Sequence, residues 1–248
     1  MGKTHEALER AEKEYRKKII KMPTDSQKGL IVEGSKRLPI QTSSDQYHKV
    51  KGNLITCFPE GSIKTILMVG TAEGNGTSST AIGFATTLAR DCRLKVLLID
   101  ANLRSPSLHE FFKIERNLGL SNILAEKIED KDLFKRVGHG NLYIIPCGKN
   151  CAGPLSIFES DRFEEKLKMM SESFDCVILD APPVNKSVET KVMSKKVDGV
   201  ILVIESGRTR RPVAINAKKE LEEAGANIIG VILNRRKHYI PEWIYKRL

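Results

Sequence analysis

The residues of this 248-residue chain with the most chemical capacity lie in one short stretch, 70–85, reading Gly-Thr-Ala-Glu-Gly-Asn-Gly-Thr-Ser-Ser-Thr-Ala-Ile-Gly-Phe-Ala directly after the apolar run 65–69. An apolar strand, a loop of small residues and then a helix start is the layout of a phosphate-binding loop. Backbone N–H groups freed at the loop and at the helix N-terminus point toward an anion. Gly74, Asn75, Gly76, Thr77, Ser78 and Ser79 are the residues that would form the cradle. The usual pattern ends Gly-Lys-Ser/Thr, with the lysine neutralising the terminal phosphates. Here Gly76 is followed by Thr77, so the loop offers backbone and hydroxyl donors but no cation of its own.

Two further apolar runs end in carboxylates, 96–100 at Asp100 and 176–180 at Asp180. An aspartate at the tip of a buried strand beside a phosphate loop can hold Mg²⁺ directly or through water, and the Ser78 hydroxyl supplies a further oxygen. A strand-end aspartate by itself is as readily a helix cap. Both of them, downstream of a Gly-rich loop in this order, point jointly to a nucleotide-binding fold with Ser78, Asp100 and Asp180 as candidate Mg²⁺ ligands.

The elements that must position these groups are legible in the hydrophobic pattern. Short continuous apolar runs at 65–69, 96–100, 142–146, 176–180, 199–204 and 228–233 suit strands buried on both faces. Helical patterns separate them at 79–90, 107–112, 120–124, 161–171, 189–195 and 212–224, and 44–55 forms another before the first strand. Pro212 and Gly225 mark the start and end of the last helix. The expected fold is α/β, a doubly wound, mostly parallel sheet flanked by helices, with ligands at the carboxyl ends of the strands. Residues 4–20 are densely charged with an apolar stripe at Leu8, Ala11, Tyr15 and Ile19, and 24–42 reads as a linker. The chain thus divides into an N-terminal charged helix and linker, 1–42, and one domain, 43–248.

A net charge of +10 favours an acidic partner, whether nucleotide, nucleic acid or membrane surface, without choosing among them. The five cysteines are odd in number and form no Cys-x-x-Cys, which fits a reducing cytoplasm. Cys147 and Cys151 lack the further ligands a zinc site needs. No signal peptide is visible, and no window approaches the ~18 to 20 apolar residues of a spanning helix. Met1-Gly2 is followed by Glu6 where a myristoylation signal wants Ser or Thr.

Taken together, these residues resemble the bacterial tyrosine kinases of exopolysaccharide and capsule synthesis, a P-loop ATPase fold related to the chromosome-partition and septum-site ATPases. The resemblance rests on Ile99-Asp100-Ala101-Asn102-Leu103-Arg104-Ser105-Pro106 and Leu179-Asp180-Ala181-Pro182-Pro183. Further matches are Gly119-Leu120-Ser121, Ile145-Pro146-Cys147-Gly148, Asp198-Gly199-Val200, Arg208-Thr209-Arg210-Arg211 and Gly230-Val231-Ile232-Leu233-Asn234-Arg235. The start of the chain, His5 to Glu12, also looks like the family's N-terminal helix. The resemblance implies ATP or ADP with Mg²⁺ as cofactors, Asp100, Asp180 and Arg104 as catalytic residues, Asn234 at the position that contacts the adenine in related ATPases, and Arg235 as a further nucleotide-binding residue. It implies Tyr239 and Tyr245 as phosphoacceptors, a homo-oligomer, and a membrane polysaccharide co-polymerase as partner. Membrane contact is then expected only through a partner, and nucleic acid is not expected.

The departures from the family pattern fall on its chemistry. Thr77 replaces the phosphate lysine, Asn75 an acidic residue and Asn102 the second aspartate of the second motif. Asp45, His48 and Lys51 stand where the family carries a Glu-x-x-Arg-x-x-Arg ring-assembly signature, and the C-terminal tyrosine cluster is reduced to Tyr239 and Tyr245 around Trp243. The resulting expectation is a nucleotide-binding regulatory protein with weak or lost phosphoryl transfer, working with a co-polymerase or an active kinase paralogue. One alternative is an active tyrosine autokinase whose lysine is replaced by Lys or Arg of a neighbouring subunit. A partition-type ATPase is the other, supported only by net charge, since Ala72 and Glu73 stand where those proteins carry an extra lysine.

Overall fold

The computed structural model describes residues 44–58, 61–125, 133–138, 140–149 and 154–235. The N-terminal segment, Cys151 and the C-terminal tyrosines therefore lie outside the described residues. Seven strands form one sheet: β1 (Thr65–Gly70), β2 (Val96–Asp100), β3 (Lys135–Arg136), β4 (Leu142–Ile145), β5 (Cys176–Asp180), β6 (Gly199–Glu205) and β7 (Ile228–Asn234). Their order is β3-β4-β2-β5-β1-β6-β7. All pairings are parallel except β3 with β4, which is antiparallel. The helices are α1 (Ser44–Cys57), α2 (Thr77–Arg90), α3 (Leu108–Phe112), α4 (Leu120–Ala125), α5 (Pro154–Glu159), α6 (Asp161–Ser173), α7 (Val188–Ser194) and α8 (Arg211–Glu223).

Alternation along each strand divides the core in two. Leu67, Val69, Leu97, Ile99, Val177 and Leu179 face one side, under α4 to α8, where Ile123, Phe158, Phe163, Met193 and Leu221 cover them. Ile66, Met68, Val96, Leu98 and Ile178 face the other, under α2, with Phe84 and Leu88 in contact and α1 lying outside it. The central strands β1, β2 and β5 are buried along their whole length, as apolar runs without alternation require. The same reading fails for β7. Among the described residues it is the sheet's edge, and Val231 and Leu233 stand about half exposed. Its composition matches a central strand, because a strand's own sequence does not register which strands lie beside it.

The short β3 hairpin strand and α5 carry no periodic signal, and the apolar pattern gives neither. Local contacts explain several of the other motifs. The Asp198 carboxylate accepts the N–H and Oγ1–H of Thr65 at 2.7 and 2.8 Å, tying the base of β6 to β1. The start of α4 docks on the end of β4: Leu120 N–H donates to Pro146 O at 2.8 Å and Ser121 N–H to Cys147 O at 2.9 Å. A Cβ at Gly119 would sit 2.1 Å from Pro146 O, so only glycine fits there.

Helix α1 is anchored through Tyr47, whose ring lies 6.3 Å from that of Phe84. A Cβ at Gly83 would meet the Tyr47 ring at 2.5 Å, which accounts for a glycine inside α2. Gly83→Ala is therefore expected to lower stability by about 1–3 kcal/mol through overpacking. In thermal unfolding, Tyr47→Ala combined with Gly83→Ala should cost less than the two single changes added together.

Candidate nucleotide-binding site

The phosphate loop leaves β1 at Gly70 and turns back on itself. Gly74 and Gly76 adopt φ of 80° and 78°, left-handed values that a side chain disfavours. Asn75 is buried inside the turn. Its Oδ1 accepts the Ala72 N–H at 2.9 Å and its Nδ2 donates to Thr209 Oγ1 at 2.8 Å. Asn234 reaches over from the end of β7 and donates Nδ2–H to the Asn75 carbonyl at 2.9 Å. A Cβ at Gly76 would lie 2.2 Å from that same Nδ2, so the glycine is what lets Asn234 cross. The loop is thus fixed from the β6–α8 turn and from β7. Helix α2 then begins at Thr77 with no side chain capping its first turn, and those amides have no intrahelical acceptor. They are free to meet an anion.

The two aspartates behave differently. Parallel register sets Asp100 beside Asp180 on neighbouring strands. Asp100 Oδ2 accepts the N–H groups of Ser107 and Leu108, each at 3.0 Å, and Oδ1 accepts that of Asn102 at 3.3 Å. It shapes the β2–α3 connection as a capping carboxylate does. Burial pushes its pKa up to about 6 against those three donors. Asp180 is buried, and neither of its carboxylate oxygens has a hydrogen bond of normal geometry. Burial raises its pKa to about 8; the nearby Ser78 hydroxyl draws it down and the Asp100 charge adds to the rise. A buried carboxylate with no partner beside a hydroxyl is suited to a hard cation. Among the described residues no group of three or more His, Cys, Asp or Glu could hold a metal ion. Asp180 and Ser78 therefore fit a Mg²⁺ that takes its remaining ligands from water and phosphate, as that ion prefers.

A cleft of about 650 Å³ opens over the loop. Gly74, Gly76, Thr77, Ser78, Ser79 and Arg235 line it on the loop side, and Asn102 and Pro183 stand among the residues of its other walls. Asp100, Asp180, Asn75 and Asn234 are not among the lining residues. Arg104 is not part of it. Its guanidinium is held by Glu189 Oε1, Nη2 at 2.6 Å and Nε at 3.2 Å, and the side chain is otherwise well exposed. Burial works against ionised Glu189, yet the Ser187 hydroxyl at 2.6 Å and Arg104 hold its pKa below the usual value. Asn102 Oδ1 accepts the Ser105 N–H at 3.1 Å, so its side chain organises the loop after β2. His48 contacts Asp91 at 3.3 Å within the same chain.

Sequence reasoning missed Glu205, Thr209, Lys186 and Glu189. Glu205 accepts from Arg235 and Arg208, and its own N–H donates to Thr209 Oγ1 at 3.0 Å. Lys186 pairs with Glu73 of the loop at 3.2 Å. The Asn234-Arg235 and Arg208-Thr209 matches signalled this side of the site, and the second carried no role.

The raised carboxylate pKa values fix a sign for the pH dependence. A carboxyl that titrates near 3.8 when unfolded and near 8 when folded favours the protonated fold. Its contribution is complete below about pH 4 and is lost as the pH rises through 8. Scanning calorimetry of the ligand-free chain should show stability falling between pH 5 and 8, by an amount on the order of a few kcal/mol, and Asp180→Asn should flatten that slope.

Among the described residues no helix is long and apolar enough to cross a membrane. The family model described as "AAA domain" matches residues 63–210. The chain is 29% identical over 199 residues to Tyrosine-protein kinase YwqD of Bacillus subtilis (strain 168), covering 80% of this chain and 84% of that one. It is 28% identical over 207 residues to Tyrosine-protein kinase CpsD of Streptococcus agalactiae serotype III (strain NEM316), covering 83% and 88%. Among solved structures, the VpsO kinase domain aligns with a TM-score of 0.72 at 26% identity, over 81% of this chain and 97% of that one. The chimerical protein CapA2B2 aligns at 0.74 and 25% identity, over 78% and 85%. The septum site-determining protein MinD of Pyrococcus horikoshii OT3, complexed with Mg-ADP, shares the fold with a TM-score of 0.59 at 21% identity, over 75% and 76%. With its phosphate loop and strand-end aspartates on this sheet, the chain belongs to the AAA-domain family, within the P-loop ATPase group of the bacterial tyrosine kinases.

Proposed function

We propose that this chain is a cytoplasmic nucleotide-binding protein of exopolysaccharide or capsule synthesis that has kept the kinase fold and has weak or lost phosphoryl transfer. The observation that carries this reading is the loop-side wall of the cleft, where Thr77 stands at the lysine position and the first-turn amides of α2 remain uncapped. ATP or ADP binds through those amides, the Ser78 hydroxyl and the helix dipole. Asp180 and Ser78 hold Mg²⁺, which when bound neutralises phosphate charge. Asn234, bonded to the Asn75 carbonyl, stands on the adenine side of the loop, and Arg235 lies beside it against Gly74.

Transfer is slow for two reasons in the same cleft. Losing a preorganised cation from a transferring phosphoryl group removes several kcal/mol of transition-state stabilisation, roughly 10²-fold to 10³-fold in rate. Asn102 has no carboxylate to serve as base, and its amide oxygen is occupied by the Ser105 N–H. Arg104 is drawn to Glu189 rather than into the cleft. Such a protein acts through its surfaces, as a homo-oligomer docking on a membrane polysaccharide co-polymerase or an active kinase paralogue. Its place is the inner face of the membrane, reached through that partner.

The test is γ-phosphate transfer to Tyr239 or Tyr245 by the full chain with Mg-ATP. Little transfer is expected, and Thr77→Lys combined with Asn102→Asp should raise it by one to two orders of magnitude or more. Robust autophosphorylation of the unmodified chain, abolished by Asp180→Ala, would overturn the reading in favour of an active autokinase with a cation from a neighbouring subunit.

A further inference from the structure

Around the phosphate loop the charges do not cancel. Glu73 is matched by Lys186 at 3.2 Å. Glu205, by contrast, is shared by two arginines, Arg235 at 3.0 Å and Arg208 at 3.5 Å, which leaves that group with a surplus of one positive charge. The surplus lies against the loop. Arg235 Nη1 donates to the Gly74 carbonyl at 3.1 Å, and a Cβ built at Gly74 would be 3.6 Å from Arg208 Nη1. Arg235 is also the one lysine or arginine among the described residues that line the cleft, whose other charged members there are Glu73 and Glu110.

Its guanidinium is placed to do more than clasp the loop. Among the described residues both of its side-chain hydrogen bonds leave from Nη1. No acceptor among the described residues takes the Nε and Nη2 donors of the fork, the pair that would meet an incoming phosphate. Nε lies 4.0 Å from the position of a Cβ on Gly76, the residue that immediately precedes Thr77. The backbone of Arg235 is itself set at φ 54°, left-handed for a residue with a side chain, and Asn234 Oδ1 accepts its N–H at 2.8 Å. Residues in this region persist where the surroundings enforce them, and here the enforcing group is the same Asn234 that crosses to the loop.

We propose that Arg235, with its charge left uncompensated by the shared Glu205, is the in-chain cation that binds nucleotide phosphate in place of the missing loop lysine. The proposal rests on the nucleotide-binding reading above and deepens it. It assigns Arg235 to the phosphates rather than to the base. An arginine here binds phosphate through charge-assisted hydrogen bonds without occupying the lysine's own place over the loop. It holds nucleotide and leaves transfer slow.

Calorimetric titrations with Mg-ADP and with adenosine distinguish the possibilities. For Arg235→Gln the Mg-ADP affinity should fall about tenfold or more while adenosine affinity is unchanged, since the lost contacts are charge-assisted. Arg235→Lys, which keeps the charge and loses the fork, should bind Mg-ADP more weakly than the natural chain and more tightly than Arg235→Gln, and adding Thr77→Lys to Arg235→Gln should restore binding. Glu205→Gln should tighten Mg-ADP. An unchanged melting temperature shows that each variant is folded, and Arg235 is exposed enough to tolerate the change. The proposal is overturned if Arg235→Gln binds Mg-ADP as the natural chain does, if it loses adenosine and ADP equally, or if Arg235→Lys is as weak as Arg235→Gln. Should the natural chain bind neither Mg-ADP nor Mg-ATP, the nucleotide-binding reading itself fails, a result separate from all of these.

Discussion

The buried amide of Asn75 is the interaction on which the site depends. A loop that turns its backbone N–H groups toward a ligand cannot also satisfy them internally, so something else must hold its shape. Asn75 does so from within, bonding Ala72 on its own loop and Thr209 on the β6–α8 turn, while Asn234 of β7 bonds the Asn75 carbonyl. The loop is thereby tied to β6 and β7 through polar contacts and to β1 and α2 through the chain. An acidic residue at position 75 would accept from Ala72 but could not donate to Thr209 while ionised. The substitution that looks like a lost catalytic feature in the sequence is therefore a structural clamp in the fold.

The remaining chemistry is distributed around this clamp by charge. Two carboxylates come to adjacent strand ends because the parallel register demands it, and only one has backbone donors. Asp180 is left with burial, a nearby serine and a like charge, a combination that favours the neutral acid until a cation arrives. Opposite it, the loop contributes amides and hydroxyls. Positive charge enters from outside the loop, on Arg235 just past β7 and Arg208 in the β6–α8 turn. Ground-state anion binding and transition-state stabilisation are thereby separated in space. A site can keep the first and lose most of the second.

Much of this was legible in the chain. Strands buried on both faces leave continuous apolar runs, so β1, β2, β5 and β6 and the ends that carry Asp100 and Asp180 could be read directly. The glycines of the loop were equally plain, because left-handed φ has few alternatives. The edge position of β7 was not legible, since strand composition reports propensity and leaves neighbours unstated. Nor was the capping role of Asp100, which depends on where the Ser107 and Leu108 amides fall. Arg104 matched a motif in sequence yet turns to Glu189, 85 residues away, and Glu205 had no motif at all. Long-range polar pairs of this kind leave no periodic trace.

The central claim is that a cradle without its lysine binds nucleotide and does not spend it. It is tested most directly by saturating the natural 248-residue chain with Mg-ATP, confirming occupancy by equilibrium titration, and quenching the complex in acid after a long incubation. The account predicts near-stoichiometric binding and recovery of the bound nucleotide as intact ATP. Recovery as ADP together with phosphotyrosine on the chain, or no binding at any concentration, would contradict it.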